Sequence, residues 1–517
     1  PASLMFGSDA LGGVVNVVTK SGTNDLRGTL HLVGKNDSLS SNPKNPDGST
    51  APKYPYHQYQ TGFTLGGPII HDQLFYFAAV DLQQARSTKQ QDPNRIEPAV
   101  VAAFASLGSP GENLPIQRTN DARVLLAKAD WDVSAKNLAT IRYNYTWSEQ
   151  KNGTFDVDSW GRSANATEKD DSNALTGALV STITNNFLNE FRFQTAKEDR
   201  PRPDNGPLSN GQNRPLPDTA FDFAKSYRFG EPFFIPVDYY DTRIQLNDNV
   251  SWIRGAHSFK LGGEFNRVNS VQTFRGFANG RYIFDSTSGF LNYLRNPNYV
   301  ECSNGTTSET GTCSGGSSPT GPVLLYLQQA GVGGLTAEQA GTQSIPQIEP
   351  AVFVQDAWQV TPNMNLQYGL RWEAEIEPDP ITPASQVFYA GFYGKTSKGI
   401  TFPSNGKIPS DKKMFQPRLG FSWNPSGDGK SVFRADAGIF YGRVPGLTVA
   451  SSRLQNGSRG PSLFRSSAAA PLRARVHADR HLFPQSRSAT THQPVGLVLP
   501  TNVRNPRTET HSGGWTS

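Results

Sequence analysis

Residues 139–148 read Ala-Thr-Ile-Arg-Tyr-Asn-Tyr-Thr-Trp-Ser, apolar at every odd position and polar at every even one. The pattern returns at 364–376, where Met364, Leu366, Tyr368, Leu370, Trp372, Ala374 and Ile376 alternate with Asn365, Gln367, Gly369, Arg371, Glu373 and Glu375. It returns again in Phe259/Leu261/Phe265 against Lys260/Glu264, in Leu419/Phe421/Trp423, and in Phe433/Ala435/Ala437/Ile439 against Arg434/Asp436. Successive side chains of a strand point to opposite faces, so each segment is a strand with one apolar and one polar face. A helix would scatter the same residues around its circumference. The strands run to about ten residues, longer than the usual five or six.

The connections alternate too. Tight turns stand at 67–72, 134–137, 184–186, 254–257, 361–363 and 424–430. Between the hairpins lie long polar stretches at 35–56, 86–121, 150–171, 199–236, 276–348 and 377–412. Long loops are uncommon in compact soluble domains. A transmembrane barrel has a reason for them, with short turns on the periplasmic side and long loops outside. Trp131, Trp252, Trp358 and Trp423 lie near the tight turns in phase with the apolar face, and Phe75, Phe187 and Phe259 lie just past three of them. Trp147 and Trp372 stand near the opposite strand ends. Such rings mark the two edges of a bilayer. The rival reading, core aromatics of a soluble β-sandwich, does not explain why they gather at the short turns.

The apolar face then meets lipid, and the polar face lines a wet interior. Candidate lumen residues are Arg142, Lys260, Glu264, Arg371, Glu373, Arg434 and Asp436. Reversing the faces would put four of these bases into hydrocarbon, at about 2–4 kcal/mol each near the midplane. Mean hydropathy is −0.51 and no apolar run approaches helical span length, so a helical membrane protein is excluded.

The net charge of +5 suggests nucleic acid until the charges are located. Residues 458–517 hold eight Arg, no Lys and two acids, a net of +6. The rest therefore carries 41 bases against 42 acids, a net of −1. A basic tail on a neutral body gives no nucleic-acid stripe, and no nucleic-acid partner is expected. That tail also holds four of eight His, no Tyr and no alternating segment of useful length. It reads as an atypical, frameshifted or disordered segment, with a genuine basic loop as the alternative.

Cys302 and Cys313 flank a polar Gly/Ser/Thr stretch, spacing that favours a loop disulfide over two free thiols. Gly427-Asp428-Gly429-Lys430-Ser431 lacks the first glycine of a phosphate loop and reads as a hairpin turn. Glu373, Glu375 and Glu377 share a strand face and read as hydrated lumen carboxylates rather than a catalytic pair. No nucleophile–base constellation, metal site or cofactor site emerges, and an enzyme is not expected.

Residues 4–20, Leu-Met-Phe-Gly-Ser-Asp-Ala-Leu-Gly-Gly-Val-Val-Asn-Val-Val-Thr-Lys, closely resemble the last plug-domain strand of TonB-dependent outer-membrane receptors. Gly7, Gly12, Gly13, Asn16, Thr19 and Lys20 carry that motif, and Val14, Val15, Val17 and Val18 are expected in a buried strand. Residues 60–77 (QTGFTLGGPIIHDQLFYF) resemble the second and third barrel strands of the Oar-like branch, and FVQDAWQVTPNMNLQYGLRWE and FQPRLGFSW resemble its later hairpins.

The resemblance covers residues 4–460 and implies an all-β, transmembrane antiparallel barrel plugged from the periplasm. About 13 of about 22 strands are expected here. The implied division is a plug end over 1–25, partial barrel over 26–457 and tail over 458–517. The chain opens on Pro1, as a piece of a longer precursor would, and an unclosed sheet is expected to expose aggregation-prone edges. The implied function is uptake of a scarce siderophore, glycan or peptide across the outer membrane of a Gram-negative-type bacterium. The implied partners are outer-membrane lipid, the TonB complex through a missing N-terminal region, and an unknown extracellular ligand. A passive porin or an adhesin is the alternative.

Overall fold

The computed structural model describes residues 14–89, 94–153, 160–205, 216–221, 227–277, 279–329, 334–387 and 389–454. It also describes Met5, Gly7, Asp92 and the main chain of 462–466 and 507–516.

The alternating segments are strands, joined as antiparallel hairpins. β1 (Arg27–Asn36), β2 (His57–Ile70), β3 (Leu74–Lys89) and β4 (Ile116–Ser134) pair in turn. β5 (Asn137–Lys151), β6 (Thr167–Thr184) and β7 (Phe187–Arg202) continue the wall. β8 (Asp218–Phe221) and β9 (Arg228–Phe229) leave it, and β10 (Val237–Arg254) and β11 (His257–Phe274) resume it. Five short strands then lie outside the wall: β12 (Arg281–Phe284), β13 (Val300–Cys302), β14 (Thr307–Ser308), β15 (Pro319–Gly321) and β16 (Val323–Gln329). β17 (Thr342–Thr361) and β18 (Met364–Glu375) return to it, while β19 (Thr396–Ser397) and β20 (Ile400–Thr401) form a loop hairpin. β21 (Asp411–Trp423) and β22 (Val432–Tyr441) complete the thirteen strands expected from the pattern.

The tail departs from expectation. β24 (Arg507–Thr516) adds a fourteenth strand against β22, and β23 (Ser462–Ser466) pairs with β16. Neither shows a clear apolar phase. An edge strand offers unpaired N–H and C=O groups, so a segment can dock there through its main chain alone. Among the described residues no ladder joins β1 to β24, and the sheet has two open edges.

The packing is inverted relative to a soluble protein. Outward Ile141, Val352 and Phe415 are 54%, 54% and 51% exposed, while inward Arg371 and Gln416 are 2% and 0% exposed. The turns between paired strands are brief, as at 135–136, 255–256 and 362–363. At the 255–256 turn Gly255 takes φ +59° with open space around it, so only backbone strain selects glycine. Beside these turns, Trp252 stacks on Phe259, His257 on Trp358, and Trp423 on Phe433.

β6, β10 and β11 have 18 residues each and β17 has 20. A tilted strand crosses a bilayer in about 9–11. The upper halves therefore stand above the membrane, where outward side chains turn polar: Tyr145 donates to Asp171 at 3.0 Å and Tyr143 to Asn173 at 3.2 Å.

The long connections are not simply solvated loops. Those after β3, β7 and β11 fold together into a cap with its own core. α1 (Pro98–Ser106) and α2 (Thr287–Arg295) pack on a sheet ordered β23-β16-β12-β8-β9. Phe104 stacks on Phe229 and Phe290, and Phe221 meets Phe290 edge-on at 4.6 Å. Ser286 caps α2 by accepting from the Gly289 amide at 2.9 Å. α3 (Ala337–Gly341) leads into β17, and α4 (Gly446–Leu454) follows β22.

Candidate functional site

Alternation places Glu264 on β11, Arg371 and Glu373 on β18, and Gln416 and Arg418 on β21 on the inner face of the wall, along the strand order β11-β17-β18-β21. The structure brings them into one chain of contacts. Arg371 donates through Nε to Glu373 at 2.6 Å and through Nη2 to Glu264 at 3.0 Å. Gln416 donates to the second Glu373 oxygen at 2.6 Å and accepts from Arg418 at 2.8 Å. Gln245 on β10 completes the row by donating to Glu264 at 2.9 Å. Arg418 lies over the Phe440 ring at 4.2 Å.

Glu373 and Glu375 are therefore not hydrated: they are 5% and 2% exposed. The cause is close packing of inner-face side chains and of residues entering from loops. Glu375 accepts from the Val444 amide at 3.2 Å, and Glu349 pairs with Arg443 at 3.1 Å. Just beyond β18, burial and then the Glu375 charge push Glu377 up to about 8. Gln347 donates to both Glu375 and Glu377.

The other expected lumen residues stand apart from this cluster. Arg142 on β5 opposes Lys128, and Lys260 on β11 opposes Ser251 and Gln355. Arg434 and Asp436 lie on β22, two strands beyond Arg371. Gln245, Gln416 and Arg418 lie in phase with the polar face of their strands, a signal that alternation alone carries. Glu349, Arg443 and Val444 reach the cluster through tertiary packing that no periodicity announces.

Two described N-terminal residues, Gly7 and Ser21, lie against inner-face side chains of the wall. Gly7 sits so close to the Arg371 guanidinium and the Glu373 carboxylate that a side chain there would overlap both. Ser21 accepts from Lys128 of β4 at 2.8 Å, and Asn24 accepts from the Asp72 amide of the first turn at 2.8 Å. Asn16, Thr19 and Lys20 fall in this stretch, while Gly12 and Gly13 lie outside the described residues. The expected buried strand is corrected. Residues 14–23 have no strand pairing, and Val15 and Val18 are 90% and 84% exposed. Valines form a buried strand only against a partner ladder, and none of the described residues supplies one here.

Above the lumen the cap holds carboxylates away from water. Asp218, fully buried, lies 3.2 Å from Arg228 and 3.3 Å from Arg281, which themselves cover Trp160 and Phe233. Burial still lifts its pKa to about 6. Burial and the neighbouring Asp204 raise Glu231 to about 8, and a shared hydrogen bond with Asp285 followed by burial raises Glu301 to about 7. A disulfide joins Cys302 and Cys313 at the cap's edge, with Cα atoms 5.8 Å apart.

Folded pKa values above the unfolded ones mean that the native cap retains protons the unfolded cap has released. Its stability is then greatest below about pH 4 and falls as pH rises toward about 8. Amide exchange in residues 216–221 and 227–231, corrected for intrinsic rates, is expected to be faster at pH 8 than at pH 5. Slower exchange at pH 8 would contradict this assignment.

A sheet of long antiparallel hairpins, apolar outside, charged inside and girdled by aromatic rings at its short turns, defines an outer-membrane β-barrel. The chain belongs to the outer membrane beta-barrel domain family, whose model matches residues 18–109 and 88–513. The protein resides in the outer membrane. No curated protein matches the chain.

Among solved structures, the chain is similar to the outer membrane transporter YddB from Escherichia coli, at 10% identity over 84% of this chain and 45% of that one, with a TM-score of 0.45. It is similar to the siderophore receptor PirA from Acinetobacter baumannii, at 12% identity over 90% and 52%, with a TM-score of 0.45. A mutant ferric enterobactin receptor, PfeA from Pseudomonas aeruginosa, matches at 13% identity over 90% and 52%, with a TM-score of 0.47. The chain spans about half the length of these structures.

Proposed function

We propose that this chain is the barrel portion of a TonB-dependent transporter of the Oar-like branch. Its cap would bind a scarce siderophore, glycan or peptide, and its lumen would pass the ligand inward when TonB acts on the plug. The observation that carries the reading is that N-terminal residues meet the inner face of the wall, Gly7 against Arg371 and Glu373 and Ser21 against Lys128. A barrel built only of hairpins has no use for a segment that enters its lumen. Charged hydrogen bonds there can hold a plug and be exchanged as it moves.

The reading assigns the protein no chemical reaction. Its rival is a passive porin or an adhesin. The test is uptake of iron-55 supplied on siderophores, and of labelled oligosaccharides and peptides, in cells expressing the full-length gene. Uptake abolished by a protonophore or by loss of TonB is the expected result. Uptake insensitive to both is the result for a porin, and surface retention without entry is the result for an adhesin.

A further inference from the structure

Asp356 breaks the pattern of the outer face. On β17 it shares the outward side with Val352, Val354 and Trp358; the two valines are 54% and 53% exposed, but Asp356 is 4% exposed. Its neighbours on adjacent strands cover it. Oδ2 accepts from His257 Nδ1 at 2.7 Å and from the Tyr368 hydroxyl at 3.0 Å, while Oδ1 is buried without a hydrogen-bond partner. A carboxylate on a lipid-facing wall is costly, and a buried one with a vacant acceptor costs more.

The same carboxylate lines an apolar groove of about 630 Å³. From Phe259 on β11 the groove passes Tyr368 and Leu370 on β18, then Leu419 on β21 and Ile439 on β22. Crossing from β11 to β22 at about 4.8 Å per strand spacing makes it about 19 Å long. One leaflet of a hydrocarbon core is about 15 Å deep. Strands tilt by about 45°, so a groove perpendicular to them runs equally obliquely to the membrane normal. Its length and direction suit an acyl chain. Trp358, two residues nearer the short turn, belongs to the aromatic ring, which places Asp356 at the headgroup boundary of the periplasmic leaflet.

We infer that this groove is a binding site for a phospholipid bearing a primary ammonium. The acyl chain lies along Leu370, Leu419 and Ile439, and the ammonium donates to Asp356. A primary ammonium supplies the missing donor and the opposite charge; a phosphatidylglycerol headgroup supplies no positive charge, and a quaternary ammonium has no N–H. Nothing in the inference depends on transport or on TonB, so it stands or falls separately from the proposed function.

The test uses the full chain, purified in mild detergent and mixed with dioleoyl phosphatidylethanolamine, phosphatidylcholine or phosphatidylglycerol. Native mass spectrometry counts lipid retained per protein, and heat-modifiable gel migration reports folding. Phosphatidylethanolamine is expected to be retained best, and Asp356→Asn is expected to lower its retention about tenfold, the worth of one charge-assisted hydrogen bond. Leu419→Trp fills the groove and is expected to lower retention of all three lipids. Equal retention by wild type and Asp356→Asn, preference for phosphatidylglycerol, or a dimer that holds no lipid at this face would overturn the inference. If Asp356→Asn does not fold, undiminished phosphatidylethanolamine retention by Leu419→Trp overturns it as well.

Discussion

Arg371→Ala is expected to destabilise the barrel wall by about 3–5 kcal/mol, the range for removing one partner of a buried ion pair. Arg371, Glu264 and Glu373 have side-chain exposures of 2%, 15% and 7%, so water screens them little. The substitution removes the cation that bridges Glu264 and Glu373 and deletes the guanidinium beside Gly7. Urea unfolding of the refolded protein in micelles, followed by tryptophan fluorescence, reads the loss as a lower midpoint. Arg192→Ala provides the contrast. Arg192 pairs with Glu190 at 58% exposure, where a surface ion pair contributes roughly 0–1 kcal/mol. Equal midpoints for the two variants would mean that the Arg371 cluster is hydrated and the lumen more open than the structure has it.

Phe104→Ala is expected to cost the cap about 3–5 kcal/mol while leaving the wall intact. Phe104 is fully buried and stacks on Phe229 at 4.1 Å and on Phe290 at 5.4 Å, so truncation removes contacts from three separate connections at once. The cap meets the wall at the strand ends, where Gln329 donates to the Phe274 carbonyl and Phe234 packs with Val237 and Tyr239, and the wall's ladders contain none of the cap's core rings. Limited proteolysis should therefore cut within residues 95–110, 216–221 and 227–229 at rates well above wild type. The heat-modifiable gel shift of the barrel should persist. Loss of that shift would show cap and wall to be one cooperative unit.

The wall was largely legible because period-two alternation is a local property. Residues 139–148 and 364–376 show their two faces without reference to any partner, and the turns at 135–136 and 362–363 lie where the pattern breaks. Lumen orientation followed from the cost of placing Arg142, Lys260, Arg371 and Arg434 in lipid. Which of those charges would meet was not legible. Glu264 and Arg371 are far apart in sequence, and only the β11–β17–β18 order sets them 3.0 Å apart. The cap was hidden for the same reason. Phe104, Phe221, Phe284 and Phe290 sit in connections whose overall composition is polar, and each becomes core only when the others arrive.

The tail shows the opposite limit. Residues 507–516 carry no useful alternation, yet β24 completes a ladder with β22 through main-chain groups that every sequence possesses. Likewise Val14, Val15, Val17 and Val18 look like a buried strand but lack a described partner. The sequence by itself determined the strand faces, the short and long ends of the barrel and its position in the membrane, since those follow from side-chain order along one strand. Only the tertiary structure decided the Arg371 cluster, the aromatic cap and the covered carboxylate of Asp356, because each depends on side chains that strand order or loop packing brings together from distant parts of the chain.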